Sequence, residues 1–176
     1  TERENFMRNA SRQGHQWIPT HTVISGGSWC QHREALEEVC LRHPILFPGF
    51  QKGRINFDSM HRPENEKRVT DAWGCVWQQE LDGLMGLVLE SPLEDWETFP
   101  KWKAPKPPAF TAENKKALAD ARAAGRPAIC GLEHGFFFMR LHYLRGYNNL
   151  MMDMAADEPN LARLVDLYGG HMDETG

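Results

Sequence analysis

The chain has few cysteines, and none lie close together. Cys30, Cys40, Cys75 and Cys130 stand far apart in 176 residues, with no CxxC pair. That spacing excludes a disulfide framework and does not argue for a zinc site; it reads as four reduced thiols, most of them in a core. Long hydrophobic runs are also missing, and none approaches the roughly 20 residues of a transmembrane helix. The first stretch, TERENFMRNASRQG, is charged and lacks the apolar centre of a signal peptide. A cytoplasmic protein with no membrane partner is the expectation. Positive charge is not in excess: 20 Lys and Arg face 24 Asp and Glu, a net charge of -4. The chain therefore carries no electrostatic footprint for nucleic acid. A Gly-rich phosphate loop, a serine nucleophile elbow and an HExxH motif are all absent, as are internal repeats and low-complexity tracts.

What is present is enough apolar material for a core. Hydrophobic residues make up 41% and charged residues 25%, a soluble globular composition that fits one domain over residues 1–176. Residues 1–12 read as a helix with Thr1 as its cap and Glu2 and Glu4 in an acidic first turn. A strand is expected at 20–24, broken by Gly26-Gly27-Ser28, with Ser28 capping a helix to about Arg42. Residues 68–79 and 84–90 read as two strands joined around Asp82-Gly83, a hairpin signal. Residues 101–110 are a Pro-rich connector. Residues 111–124 form a surface helix capped by Thr111 and stopped by Gly125. A buried strand at 127–132 ends in the polar turn Glu133-His134-Gly135. Helices at 136–145, 148–156 and 160–168 follow, with Pro159 in the first turn of the last. The stripe Leu150, Met151 and Met154 reads as core.

This order is α/β: strand–helix units with an inserted β-hairpin. Right-handed crossovers would lay the strands parallel. A closed (β/α)8 barrel of this kind needs eight strands in about 250 residues, and this chain supplies about half.

Several side chains are candidates for chemistry. Asp71 sits in an apolar and aromatic run, where a buried carboxylate needs either a functional role or a partner such as the neighbouring backbone or Arg68. Glu133 and His134 follow a strand, at the barrel face that carries catalysis, and both can act as general acid or base; the alternative is a plain turn. His21 lies near the end of the first strand and could face the same mouth. Trp73 and Trp77 share a strand face and either line a pocket for a flat ligand such as a tetrapyrrole or pack in the core. No metal ligand is assigned.

Four stretches in order carry a family resemblance. ENFMRNA is an opening helix. DAWGCVWQ is followed by GLMGLVLESPLEDWE. GRPAICGLEHGFFFMRLHYLRG runs from a glycine-started strand to a helix end, and NNLMMDMAADEPNLARLVD is a helix pair. Together they resemble the N-terminal half of the uroporphyrinogen decarboxylase superfamily, which includes corrinoid-dependent methyltransferases. The resemblance implies a partial (β/α)8 TIM barrel. It places Asp71 near the decarboxylase's essential aspartate, and His142 and Tyr143 near a substrate-contacting tyrosine. Catalysis would fall to Asp71, Glu133 and His134, and substrate contact to His21, Trp73, Trp77, His142 and Tyr143. The decarboxylase has an arginine-rich signature near its first strand, and residues 17–27 contain no arginine. This favours methyl transfer involving a corrinoid or a methylated small substrate over decarboxylation of a porphyrinogen. The complete enzyme would use a corrinoid protein partner and zinc, with zinc ligands largely in the C-terminal half; no cofactor is assigned to this chain itself. A competing reading is a non-catalytic half-barrel, paired with another chain or with itself, because open strand edges drive association.

Overall fold

The computed structural model describes residues 1–20, 22–61, 67–128, 131 and 135–175. Among them the chain is mixed α/β, with six helices and one three-stranded antiparallel sheet. In chain order the elements are α1 (Glu2–Ala10), α2 (Gly26–Arg42), β1 (Arg68–Thr70), β2 (Val76–Gln78), β3 (Leu87–Glu90), α3 (Ala112–Ala123), α4 (Phe138–Arg145), α5 (Tyr147–Ala155) and α6 (Pro159–Thr175). No described helix is long and apolar enough to cross a membrane.

The described sheet is antiparallel throughout and contains none of the parallel pairing expected of the strand–helix units outside the hairpin. β1 pairs with β2 and β2 with β3, both antiparallel, in the order β1-β2-β3. The connections are too short for a crossover, which needs a dozen or more residues, so only antiparallel pairing is open to them. Residues 68–79, expected as one strand, are two. Asp71 N–H donates to Cys75 C=O at 2.9 Å and Gly74 N–H to Asp71 C=O at 3.0 Å, closing a tight turn. Gly74 holds a φ of +88° there, a conformation glycine reaches without strain. The expected hairpin around Asp82-Gly83 does join β2 to β3, with a bulge opposite Val76 and Trp77. Residues 20 and 22–24, expected as strand, are irregular, as are 127, 128 and 131 from the strand expected at 127–132; residues 21, 129–130 and 132 lie outside the described residues.

Residue contacts divide the chain into two compact units. One comprises Thr1–Thr20, Pro105–Leu141 and Asp153–Gly176. Its α1 is capped by Thr1, as expected, through a capping box with Glu4. Buried Asn5 ties that helix to the following segment, donating to Trp17 C=O at 2.8 Å and accepting from Gln16 N–H at 2.6 Å. α3 is capped by Thr111, as its sequence predicts. Leu161, Leu164, Tyr168 and His171 form the buried stripe of α6, at helical spacing. Tyr168 meets Phe137 with ring centroids 5.0 Å apart.

The second unit comprises His21–Ala104 and His142–Met152. α2 begins one turn earlier than expected: Ser25, not Ser28, is its N-cap and accepts from Ser28 N–H at 3.1 Å. The helix breaks at Arg33, whose φ is +43°. Glu37, fully buried, accepts from Gly53 N–H at 2.9 Å. Trp29 stacks on Phe50 with ring planes 3° apart. The core of this unit contains Trp73, Cys75, Trp77, Leu93, Tyr143, Leu144 and Leu150. Leu150 is buried as the stripe predicts, while Met154, assigned to the other unit, stays 53% exposed.

Candidate functional site

The turn before β2 is organised by one carboxylate. Asp71 Oδ1 accepts from the backbone N–H of Trp73 and of Cys75, both at 2.9 Å. Its Oδ2 accepts from Trp77 Nε1–H, also at 2.9 Å. The donors lie two, four and six residues on, so the aspartate bonds the strand turn that follows it, as turn-forming Asp side chains do. The carboxylate is thus held by two backbone N–H groups and by the Trp77 indole. Arg68, the other partner considered, pairs instead with Glu90 across the sheet.

Trp77, fixed by that bond, packs edge-on against Tyr143 with ring centroids 4.7 Å apart. Cys75 Sγ–H donates to Tyr143 C=O at 3.4 Å. Trp73 stacks on Trp102 at 6.1 Å and accepts from Trp102 Nε1–H through its carbonyl at 3.0 Å. Leu93 N–H donates to Leu144 C=O at 2.9 Å. Buried Arg145 donates to the carbonyls of Leu93 and Glu94 and lies over the Trp96 ring, 4.5 Å from its centroid. Asp71, Trp73, Trp77 and Tyr143 thus come together in one unit. Trp73 and Trp77 are 4% and 5% exposed, so they are packed and do not line an open pocket. His142 is half-buried and meets the ring of Tyr147 at 5.6 Å, edge-on. His21, Glu133 and His134 lie outside the described residues.

A separate cleft of about 580 Å³ opens in the same unit where α2 begins. Ser28, Cys30 and Gln31 line it from the helix, and Leu81, Asp82 and Leu84 from the turn between β2 and β3. Two glycines make this junction possible. A Cβ built on Gly26 would lie 2.3 Å from Gly83 O, and one on Gly83 would lie 2.2 Å from Gly26 C. Backbone meets backbone here, and no side chain fits between. At the helix start Ser25 Oγ and Ser28 Oγ are 2.9 Å apart. Asp82 Oδ2 is held by His61 Nδ1 at 2.7 Å. None of these residues was expected to matter. The available signals were the Ser-Gly-Gly-Ser run at 25–28 and the Asp-Gly pair at 82–83, which read as a helix start and a turn and say nothing of their meeting.

Cys40, fully buried, has its thiol pKa raised, first by burial and then by the Glu37 carboxylate. Among the described residues no three His, Cys, Asp or Glu side chains are placed to hold a metal ion. No protein-family model, curated protein or solved structure matches the chain.

Proposed function

We propose that this chain is the N-terminal part of a uroporphyrinogen decarboxylase-like (β/α)8 enzyme whose complete form carries out methyl transfer, with a corrinoid-bearing protein partner or a methylated small substrate. One observation carries the reading. The landmarks DAWGCVW, ESPLEDW and HYLRG are far apart in sequence, yet they interlock: Cys75 and Trp77 meet Tyr143, Leu93 meets Leu144, and Arg145 clamps Leu93, Glu94 and Trp96. Stretches that together resemble one family are thus joined by contacts using the residues of that resemblance.

Porphyrinogen decarboxylation is less well supported. Residues 17–27 lack arginine, and both Asp71 oxygens already accept donors from their own turn. The test is to incubate the full gene product with a reduced corrinoid and a panel of methylated amines and aryl methyl ethers, following demethylation by mass spectrometry. A parallel reaction supplies uroporphyrinogen. Demethylation that depends on both protein and corrinoid is the expected result. Release of carbon dioxide from the porphyrinogen without demethylation would replace methyl transfer with the decarboxylase reading.

A second reading, assembly with another copy or another chain, is favoured by exposed leucines on β3 and in the turn before it. Leu81, Leu87 and Leu89 are 66%, 73% and 53% exposed, and β3 is an outer strand of the sheet.

A further inference from the structure

We infer that residues 105–126, a Pro-rich arm followed by α3, bind the phosphate backbone of single-stranded nucleic acid without reading its sequence. The inference rests on this segment alone and is independent of the methyl-transfer reading. The net charge of -4 averages two unlike parts of the chain. Residues 105–126 hold five Lys and Arg against two Asp and Glu, leaving 15 against 22 elsewhere. All five cations, Lys106, Lys115, Lys116, Arg122 and Arg126, are exposed. Lys116 pairs with Asp120 at 2.6 Å. Among the described residues the side chains of the other four enter no ion pair. No residue of α3 is buried. Its two acids, Glu113 and Asp120, lie seven apart on one face, and Lys115 and Arg122 lie seven apart on the opposite one. Arg126 N–H donates to Ala121 C=O at 2.9 Å, which holds Arg126 at the last turn. A helix C-terminus favours Arg122 and Arg126 in any protein, but it gives no reason for Lys106 or for Lys115 near the opposite end. Pro105, Pro107 and Pro108 restrict Lys106 and its neighbours to extended backbone. Among the described residues 105–110 form no backbone hydrogen bond, so Lys106 stands on a stiff, open arm.

The make-up of the patch selects the polyanion. Protein interfaces are depleted in Lys and draw affinity from packed aromatic, Met and Arg anchors. Here most of the cations are Lys, and the apolar residues of α3 are alanines and Leu118. A membrane surface needs a continuous apolar face on a helix, and α3 carries one large apolar side chain. Phosphates need only accessible cations. Phe110, between Lys106 and Lys115 in the chain, is 49% exposed. Its ring is a platform on which an unpaired base can stack. A duplex, whose bases are already stacked on one another, gains nothing from it.

The experiment follows the fluorescence anisotropy of a labelled oligothymidylate of about 20 nucleotides, longer than typical single-strand sites, titrated with the full chain. Salt is varied between about 50 and 200 mM. Log affinity should fall with log salt at a slope between about -2 and -3.5, at about -0.7 for each cation engaged. A duplex of the same length should bind more weakly, and a polyglutamate peptide of matching charge should not displace the oligonucleotide. Lys115→Gln with Arg122→Gln should flatten the slope by about 1.4 and weaken binding about tenfold or more at the lowest salt. Phe110→Leu should weaken binding about fivefold or more with the slope unchanged. Arg42→Gln with Arg54→Gln removes the same charge from exposed side chains of the other unit and should cost about twofold at most. Circular dichroism melts establish that each variant is folded; if the Lys115 and Arg122 variant is not, the duplex and polyglutamate comparisons on the unaltered protein decide. No binding at the lowest salt, tighter binding of the duplex, or displacement by polyglutamate overturns the proposal. So does unchanged affinity in the folded Lys115 and Arg122 variant, or an equal loss from the Arg42 and Arg54 pair.

Discussion

Asp71 accepts three hydrogen bonds from residues within six positions of it, so replacing it tests the turn before it tests any reaction. Asp71→Ala leaves three donors without their acceptor and should destabilise the protein by about 2–4 kcal/mol, since each orphaned buried group costs about 1–3 and such costs do not add fully. Asp71→Asn keeps one oxygen but turns an amide N–H towards either the indole or the two backbone N–H groups, at a cost of about 1–2 kcal/mol. Urea denaturation followed by tryptophan fluorescence measures both. A role in chemistry alone would leave both midpoints unchanged. The sequence showed that this carboxylate needed a partner, and it also held the clue to which one: Asp followed three residues later by Gly is a turn signal. The aromatic run around it drew the reading towards a pocket, because apolar neighbours in sequence do not reveal whether a face is packed or open. At Cys40 the folded state holds the thiol proton more tightly than the unfolded chain does. Its effect is therefore absent below the ordinary thiol value of 9.0 and lowers stability as pH rises through and above it. Thermal melts between pH 7 and 10, ranges chosen to bracket the ordinary value of about 8.5–9, should fall more steeply for the native protein than for Cys40→Ala.

At the scale of elements, helices and the β2–β3 hairpin were legible, and the split of residues 68–79 into two strands was not. Helix signals are local: Thr1 with Glu4, Thr111 with Asn114 and Gly125 after α3 all act within one turn. Strand pairing depends on what lies opposite. A periodic reading could not separate one strand over 68–79 from two strands folded about Gly74. The α6 helix runs to Thr175, past the expected end at Tyr168, because Gly169-Gly170 reads as a stop while Tyr168 and His171 on either side are both buried in the same stripe. Its start uses Glu158, whose side chain accepts from Asn160 N–H at 3.0 Å beside Pro159 in the first turn. Glu158→Ala should cost about 0.5–2 kcal/mol, the usual range for losing such a cap. The β2–β3 turn offers a sharper test. Gly83→Ala must hold a φ of +71° and place its Cβ against Gly26, so it should cost about 3 kcal/mol or more, combining backbone strain with a displaced helix start. A melting curve unchanged from the native protein would mean that Gly26 and Gly83 do not touch.

At the scale of the whole molecule, the question is what the exposed leucines of the β3 region do. Leu87 and Leu89 are exposed on an outer strand, and Leu81 and Met85 are exposed in the approach to that strand. Charged residues usually guard such an edge. Here Glu90 is spent on Arg68 within the sheet, leaving Leu87 to Leu89 without a gatekeeper. Burying one leucine is worth about 1.5–3 kcal/mol, so two copies that each cover two leucines gain more than the lower estimates of the cost of association, about 4 kcal/mol and upwards. Association should therefore be measurable and concentration-dependent. Size-exclusion chromatography with light scattering should show a mass above that of one chain at high concentration, returning to it on dilution. Leu87→Lys with Leu89→Lys should abolish the rise: the side chains are already exposed, so folding is undisturbed, and each edge would gain two positive charges that repel a second copy. A single mass at all concentrations for the native protein would remove the assembly reading. A rise that survives the double substitution would move the contact away from β3.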